Sequence, residues 1–289
     1  MPILCAGTAS IDITPPVGAD LAGGAFGPAR GGLHPLSAAA LFLTDGFTGL
    51  VLIAADVIGF DTDYADAIRG AAARRVGLPA SHVMLTATHT HHGPATAADR
   101  HRGALDPAYR KRLQARLVEL AADATASPRP VSLSAGRGTC AGVAENRVAP
   151  DGPVDAQLGV LRVDDLDGRP LAALINAAVP PVRLHGHGDL SPGFPVFLRA
   201  GVRAALNPEM EVLYLMGAAG FGKIPGWQAP IIRGKENWKY RGPNTDMYQQ
   251  EHNELFASIR KGEAKNDGDW MMRSTLMAIM GRESAYTGR

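Results

Sequence analysis

The stretch 40–60, ALFLTDGFTGLVLIAADVIGF, constrains the fold of this chain more than any other. The runs ALFLTDG and GLVLIAADVIGF are apolar, and Asp45-Gly46 between them signals a hairpin. Beyond residue 60, helix and strand patterns alternate. DTDYADAIRGAAARRVGL carries Asp61 or Thr62 as an N-cap, apolar residues at helical spacing and Gly77 at the stop. HVMLTAT is predicted to be a strand, and DPAYRKRLQARLVELAADAT a helix with Pro107 in its first turn. VSLSAGRG, LGVLRVDD, PLAALINAAV and EVLYLMGAAG read as strands, and VFLRAGVRAAL as a helix. Mixed strands and helices joined partly by hairpins predict an α/β fold of mixed α+β layers.

Composition narrows the function. A formal charge of +1 gives no field of one sign, so neither nucleic acid nor an anionic membrane surface is favoured as a partner. Cys5 and Cys140 stand far apart, outside any C-x-x-C spacing, which argues against a disulfide scaffold and a cysteine zinc site; buried free thiols are expected. No apolar stretch approaches the roughly 18 residues of an integral membrane span. MPILCAGTASIDITPP has no basic segment followed by an apolar one, so the protein reads as soluble and cytoplasmic by default, or as secreted or periplasmic if a signal precedes this sequence.

A seam lies near Gly220-Phe221. Residues 1–221 hold one lysine, Lys111, and no tryptophan, whereas residues 222–289 hold Lys223, Lys235, Lys239, Lys261, Lys265 and all three tryptophans. The expected division is therefore 1–221 and 222–289. In the second part, APIIRGKENWKYRGP reads as strand and turn. Two helices are expected after it, one with Leu255, Phe256 and Ile259 on a face, the other with Met272, Leu276, Ile279 and Met280 along a stripe.

VMLTATHTHHGP, at 83–94, carries the chemistry. Side chains at i and i+2 of a strand end emerge on one face, and His89 and His91 have that spacing. Imidazole is a common zinc ligand, and a catalytic zinc needs about three protein ligands. A single histidine at a strand end is ordinarily a hydrogen-bonded turn residue, but three within four positions point to a metal or catalytic role. His92 is expected to face the other side. LHGHGDLSPG adds His185, His187 and Asp189 as a second candidate group. Asp56 and Asp61 flank a strand end, and capping accounts for Asp61. GAAGFG does not fit a dinucleotide turn, and no G-x-S-x-G elbow occurs.

GTASIDITPP, GLHPLSAAALFLTDG, VLIAADVIGF, VMLTATHTHHGP, ENR, PVDAQLGVLRVDDLDGRPLAALINAAV and LYLMGAAG occur in the order found in the N-terminal domain of the neutral/alkaline ceramidase family, which residues 3–220 resemble. The resemblance implies hydrolysis of an N-acyl amide bond, a small or lipid-like N-acyl substrate, and a zinc held by two histidines, a glutamate and a tyrosine. It makes His89 the first zinc ligand, His91 a contact to substrate or transition state, and Arg147 the arginine that positions the reacting group. Three departures matter. Pro180 stands at the second histidine ligand and cannot coordinate zinc; Gly193 replaces an aspartate; FGKIP at 221–225 replaces the segment holding the nucleophilic serine. His185 or His187 is the candidate substitute for the lost ligand.

Residues 222–289, with MYQQEHNELFASIRKGEAKNDG, resemble the C-terminal end of Gfo/Idh/MocA oxidoreductases. That family's nicotinamide fold and catalytic residues lie upstream of this passage, so no nicotinamide cofactor is expected. Three readings compete: a zinc-dependent amide hydrolase whose activity is impaired or rescued, an inactive or vestigial fusion protein, and an NAD(P)-dependent sugar oxidoreductase.

Overall fold

The computed structural model describes residues 3–23, 27–97, 103–143, 154–181 and 188–216, and beyond these the short pieces 221–223, 231–233, 238–239, 256–257 and 260–261. The chain divides into two units, one of Met1–Ala144 with Ala156–Met216 and the other of Glu145–Asp155 with Gly217–Arg289.

The larger unit is built on an eight-stranded sheet. Its strands are β1 (Cys5–Asp12), β3 (Ser37–Thr44), β4 (Gly49–Ala55), β5 (Val83–Ala87), β6 (Arg129–Thr139), β7 (Gln157–Asp165), β8 (Pro170–Ala177) and β10 (Glu211–Leu215). The two-residue strands β2 (Gly31–Gly32) and β9 (Asp189–Leu190) pair separately, in parallel. The sheet order is β10-β8-β7-β6-β1-β3-β4-β5. Its two halves meet where β1 pairs with β6, Cys5 opposite Pro130 and Ala6 opposite Arg129.

Alternation decides the layers. Along β3, Ala38, Ala40 and Phe42 join one apolar cluster while Ala39, Leu41 and Leu43 join another, as a period of two requires. The second cluster also contains Val163, Leu171 and Leu213 from β7, β8 and β10, so the halves of the sheet pack face to face. The outer face of the first half is covered by α1 (Thr62–Val76) and α2 (Pro107–Thr125), through Ile68 and through Leu113, Leu117 and Leu120, each fully buried. Burial of each such side chain is worth about 1.5–3 kcal/mol. The outer face of the second half takes α3 (Phe194–Ala205), whose Phe194, Leu198 and Val202 pack on Val212 and Tyr214. The result is four layers, helix, sheet, sheet, helix, in agreement with the α/β class read from the sequence.

The predicted hairpin is present, with Leu43 opposite Leu50 and Thr44 opposite Gly49. The Asp45 carboxylate closes the turn by accepting from Phe47 and Thr48 N–H groups, with Thr48 the stronger influence in holding its pKa below the usual value. Asp106 caps α2 through Ala108 and Tyr109 N–H, with Pro107 in the first turn as expected. Two readings are corrected and one strand is added. The added strand is β1, which the sequence pattern does not reveal because CAGTASID consists mostly of small and polar residues, with Ile11 its one bulky β-branched member. Asp61 occupies the N-cap position of α1, yet its side chain makes no cap bond there and its carboxylate pairs with Arg110 at 3.1 Å. Cys5 and Cys140 are free thiols as expected but only half-buried.

In the smaller unit, β11 (Phe221–Lys223), β12 (Ile231–Arg233) and β13 (Trp238–Lys239) form an antiparallel sheet, matching the strand-and-turn reading of 229–243. Of the predicted helix around Leu255, only 256–257 and 260–261 are described; they are helical, and Phe256 is 53% exposed. The methionine stripe at 272–280 lies outside the described residues.

Candidate active site

β4 and β5 run parallel, joined through α1, with Ala55 beside Ala87 at their ends. Chain leaving the carboxyl ends of adjacent parallel strands is where α/β folds place ligands. Here the two departing segments are 56–59 and 88–92.

The histidine segment is not an extension of the strand. β5 stops at Ala87, and His89 has φ 63°, the one positive value at a non-glycine among the described residues. Such a left-handed conformation costs roughly 1 kcal/mol or more in a residue with a Cβ. It is offset by two bonds to the neighbouring segment: His89 N–H donates to Val57 O at 3.0 Å, and Nδ1 lies 2.7 Å from Ile58 O. A carbonyl oxygen only accepts, so His89 Nδ1 carries the proton, and in the neutral ring the lone pair falls on Nε2. That is the arrangement in which a histidine is usually oriented for metal binding, its second nitrogen anchored to a backbone carbonyl. The alternation argument that paired His89 with His91 is therefore corrected in its cause, although the two rings do meet, centroids 5.1 Å apart in an edge-on contact.

His91 packs on the loop at 20–23. A Cβ at Gly23, where φ is 86°, would fall 2.4 Å from the His91 ring, so only glycine fits there. Ala22 N–H donates to Gly93 O, and Leu21 bridges Pro94. His92 is fully buried.

Segment 188–193 buttresses the same turn. Ser191 N–H donates to His92 O, Thr90 Oγ1 donates to Ser191 O at 2.7 Å, and Ser191 Oγ lies 3.2 Å from His34 Nδ1. Ser191 has no exposed surface and its Oγ accepts from Gly193 N–H, so this serine–histidine contact is a structural clasp and not a nucleophile. Gly193 has φ 72° and ψ −146°, a conformation that residues with a Cβ rarely adopt.

Asp56 is fully buried at the end of β4. Its carboxylate accepts Ser37 N–H and Oγ–H and is held by both terminal nitrogens of Arg199, each at 2.8 Å. The sequence marks Asp56 only as a strand-end acid, and Arg199 not at all, because nothing in the spacing of 56 and 199 ties α3 to β4.

Of the expected site residues, His89 and His91 are brought together. Arg147, His185 and His187 lie outside the described residues. Pro180 is present just past β8, where Tyr214 Oη donates to Val179 O at 2.7 Å. Among the described residues no group of three or more His, Cys, Asp or Glu could hold a metal ion. Among the described residues the site therefore offers one imidazole anchored through Nδ1, with a second ring beside it.

No protein-family model matches the chain, and no curated protein matches it. The Gfo/Idh/MocA resemblance of residues 222–289 accordingly gains no support. Solved structures do match. A ceramidase complexed with C2 has TM-score 0.61 and 18% identity over 77% of this chain and 38% of its own. Neutral ceramidase from Pseudomonas aeruginosa has TM-score 0.59 and 18% identity over 75% of this chain and 38% of its own. The chain spans less than two fifths of the length of these two structures. The likeness is one of architecture: the protein has a ceramidase-like fold.

Proposed function

We propose that the protein is a metal-dependent hydrolase of N-acyl amides, of ceramidase type. The observation that carries this reading is His89, held in a left-handed conformation with Nδ1 fixed on Ile58 O at the mouth of two parallel strands. A strained residue supported by its surroundings is a mark of functional sites. His89 would hold zinc together with His185 or His187, one of which would replace the ligand lost at Pro180. Bound there, the metal would supply Lewis-acid chemistry for an amide carbonyl.

The chain's own residues do the rest. His91, with its ring against His89 and its back against Gly23, contacts the substrate carbonyl. Arg147 positions the reacting group. With no serine at 221–225, the attacking group is water. The substrate is a small or lipid-like N-acyl compound. Residues 222–289 contribute no nicotinamide site. In a hydrolysis assay with short- and long-chain fluorogenic N-acyl amides, we expect turnover that a chelator abolishes and zinc restores, with His91→Ala reduced by about 100-fold. Saturable micromolar NADH binding, with no amide turnover at any metal concentration, would replace this reading with the oxidoreductase one; blank results in both assays would leave an inactive fusion.

A further inference from the structure

We propose that Asp56 and Arg199 are positioning residues that set the tautomer of His89. The inference rests on the hydrolase reading for its consequence, but its physical content is independent of it. The turn that receives His89 consists of Val57 and Ile58, whose carbonyls accept its N–H and Nδ1–H. The turn is anchored at both ends, by the Asp56 carboxylate before it and by Thr96 Oγ1–H on Gly59 O at 2.6 Å after it, and Asp56 is the anchor through which α3 reaches it.

Four hydrogen bonds converge on the Asp56 carboxylate: Ser37 N–H at 2.9 Å, Ser37 Oγ–H at 3.0 Å, and the two arms of Arg199 at 2.8 Å each. Arg199 Nη1 also donates to Ser37 Oγ at 3.2 Å. The guanidinium is planar and forked, so a two-armed grip fixes orientation as well as distance. The backbone adds Asp56 N–H to Ser37 O and Thr88 N–H to Ala55 O. β3, β4, β5 and α3 are thereby tied at one point, one residue before the two carbonyls that grip His89.

The consequence is chemical. A neutral imidazole free in water prefers its proton on Nε2, the form that cannot bind a metal through Nε2. Ile58 O reverses that preference only if it stays on the line of Nδ1–H, and Asp56 with Arg199 holds it there. The segment leading into α3 supports His92 and Thr90 through Ser191, so both sides of the histidine turn are braced from the same layer.

The test is long-range ¹⁵N–¹H correlation of imidazole nitrogens in the full-length protein at a pH where histidine is neutral, with His89→Gln used to assign the His89 signals. We expect an Nδ1–H pattern in the parent, and a shift toward Nε2–H in Arg199→Gln and Asp56→Asn. Arg199→Lys, which keeps the charge without the fork, should lie between. Leu213→Ala, in the apolar layer between the sheets, controls for lost stability and should leave the pattern unchanged. If Arg199→Gln does not fold, Asp56→Asn and Arg199→Lys carry the decision. Retention of the parent Nδ1–H pattern in the folded Asp56 and Arg199 variants overturns the proposal, as does an equal shift in Leu213→Ala. Zinc titrated into the same samples separates the two claims. A parent with the Nδ1–H pattern that takes up no zinc keeps the positioning role and loses the hydrolase reading. Zinc uptake weakened about 10–100-fold in Asp56→Asn supports both.

Discussion

Gly193 precedes α3 with φ 72° and ψ −146°, and a Cβ added there would lie 2.9 Å from the Cβ of Pro181. Two costs add in Gly193→Ala. The backbone conformation is one that residues with a Cβ adopt only at about 1–3 kcal/mol. The contact forces a buried proline ring, which has no rotamer to move to, out of place, and such overpacking costs about 1–3 kcal/mol. The expected loss is about 2–6 kcal/mol in all, or a fall in Tm of roughly 10 °C. Urea unfolding should be followed by far-UV circular dichroism, because all three tryptophans lie beyond residue 222 and report on the other unit. Unfolding of Gly193→Ala within about 0.5 kcal/mol of the parent would refute the argument, since that is the range of an uncoupled surface change. Gly193→Asp, which puts a Cβ and a charge on the same backbone conformation, should be no better tolerated.

Buried polar groups supply two more expected outcomes. Thr90→Val removes the donor to Ser191 O and the acceptor of His92 N–H inside the buried turn, and should cost about 1–3 kcal/mol by the same urea assay. Tyr64 and Tyr214 are pushed up to about 12 by burial, and burial raises Tyr109 further. An unfolded tyrosine ionises near 10, so the folded state keeps its full advantage below pH 10 and loses it as pH rises from 10 through 12. Absorbance titration should show these three ionising late and together with unfolding; smooth ionisation near pH 10 in the folded protein would contradict the burial.

The layered architecture is legible in the sequence because its signals are local. The Asp45 turn, the Pro107 start of α2 and the apolar runs of β3 and β4 each reside within a few residues. β1 is not legible, since its Thr, Ser and Asp residues make a strand only by lying between β3 and β6. The site divides the same way. His89 and His91 stand out by spacing, but their contact depends on a left-handed turn that the i, i+2 argument does not contain. Arg199, Ser191 and Gly23 reach the site from distant positions, and only the folded chain brings them there.

The central claim is that His89 is a metal ligand. Equilibrium dialysis of the full chain against zinc, read by metal analysis, addresses it directly: the parent should retain about one equivalent and His89→Ala almost none. A parent that retains less than about a tenth of an equivalent, or a His89→Ala variant that retains as much as the parent, would contradict it.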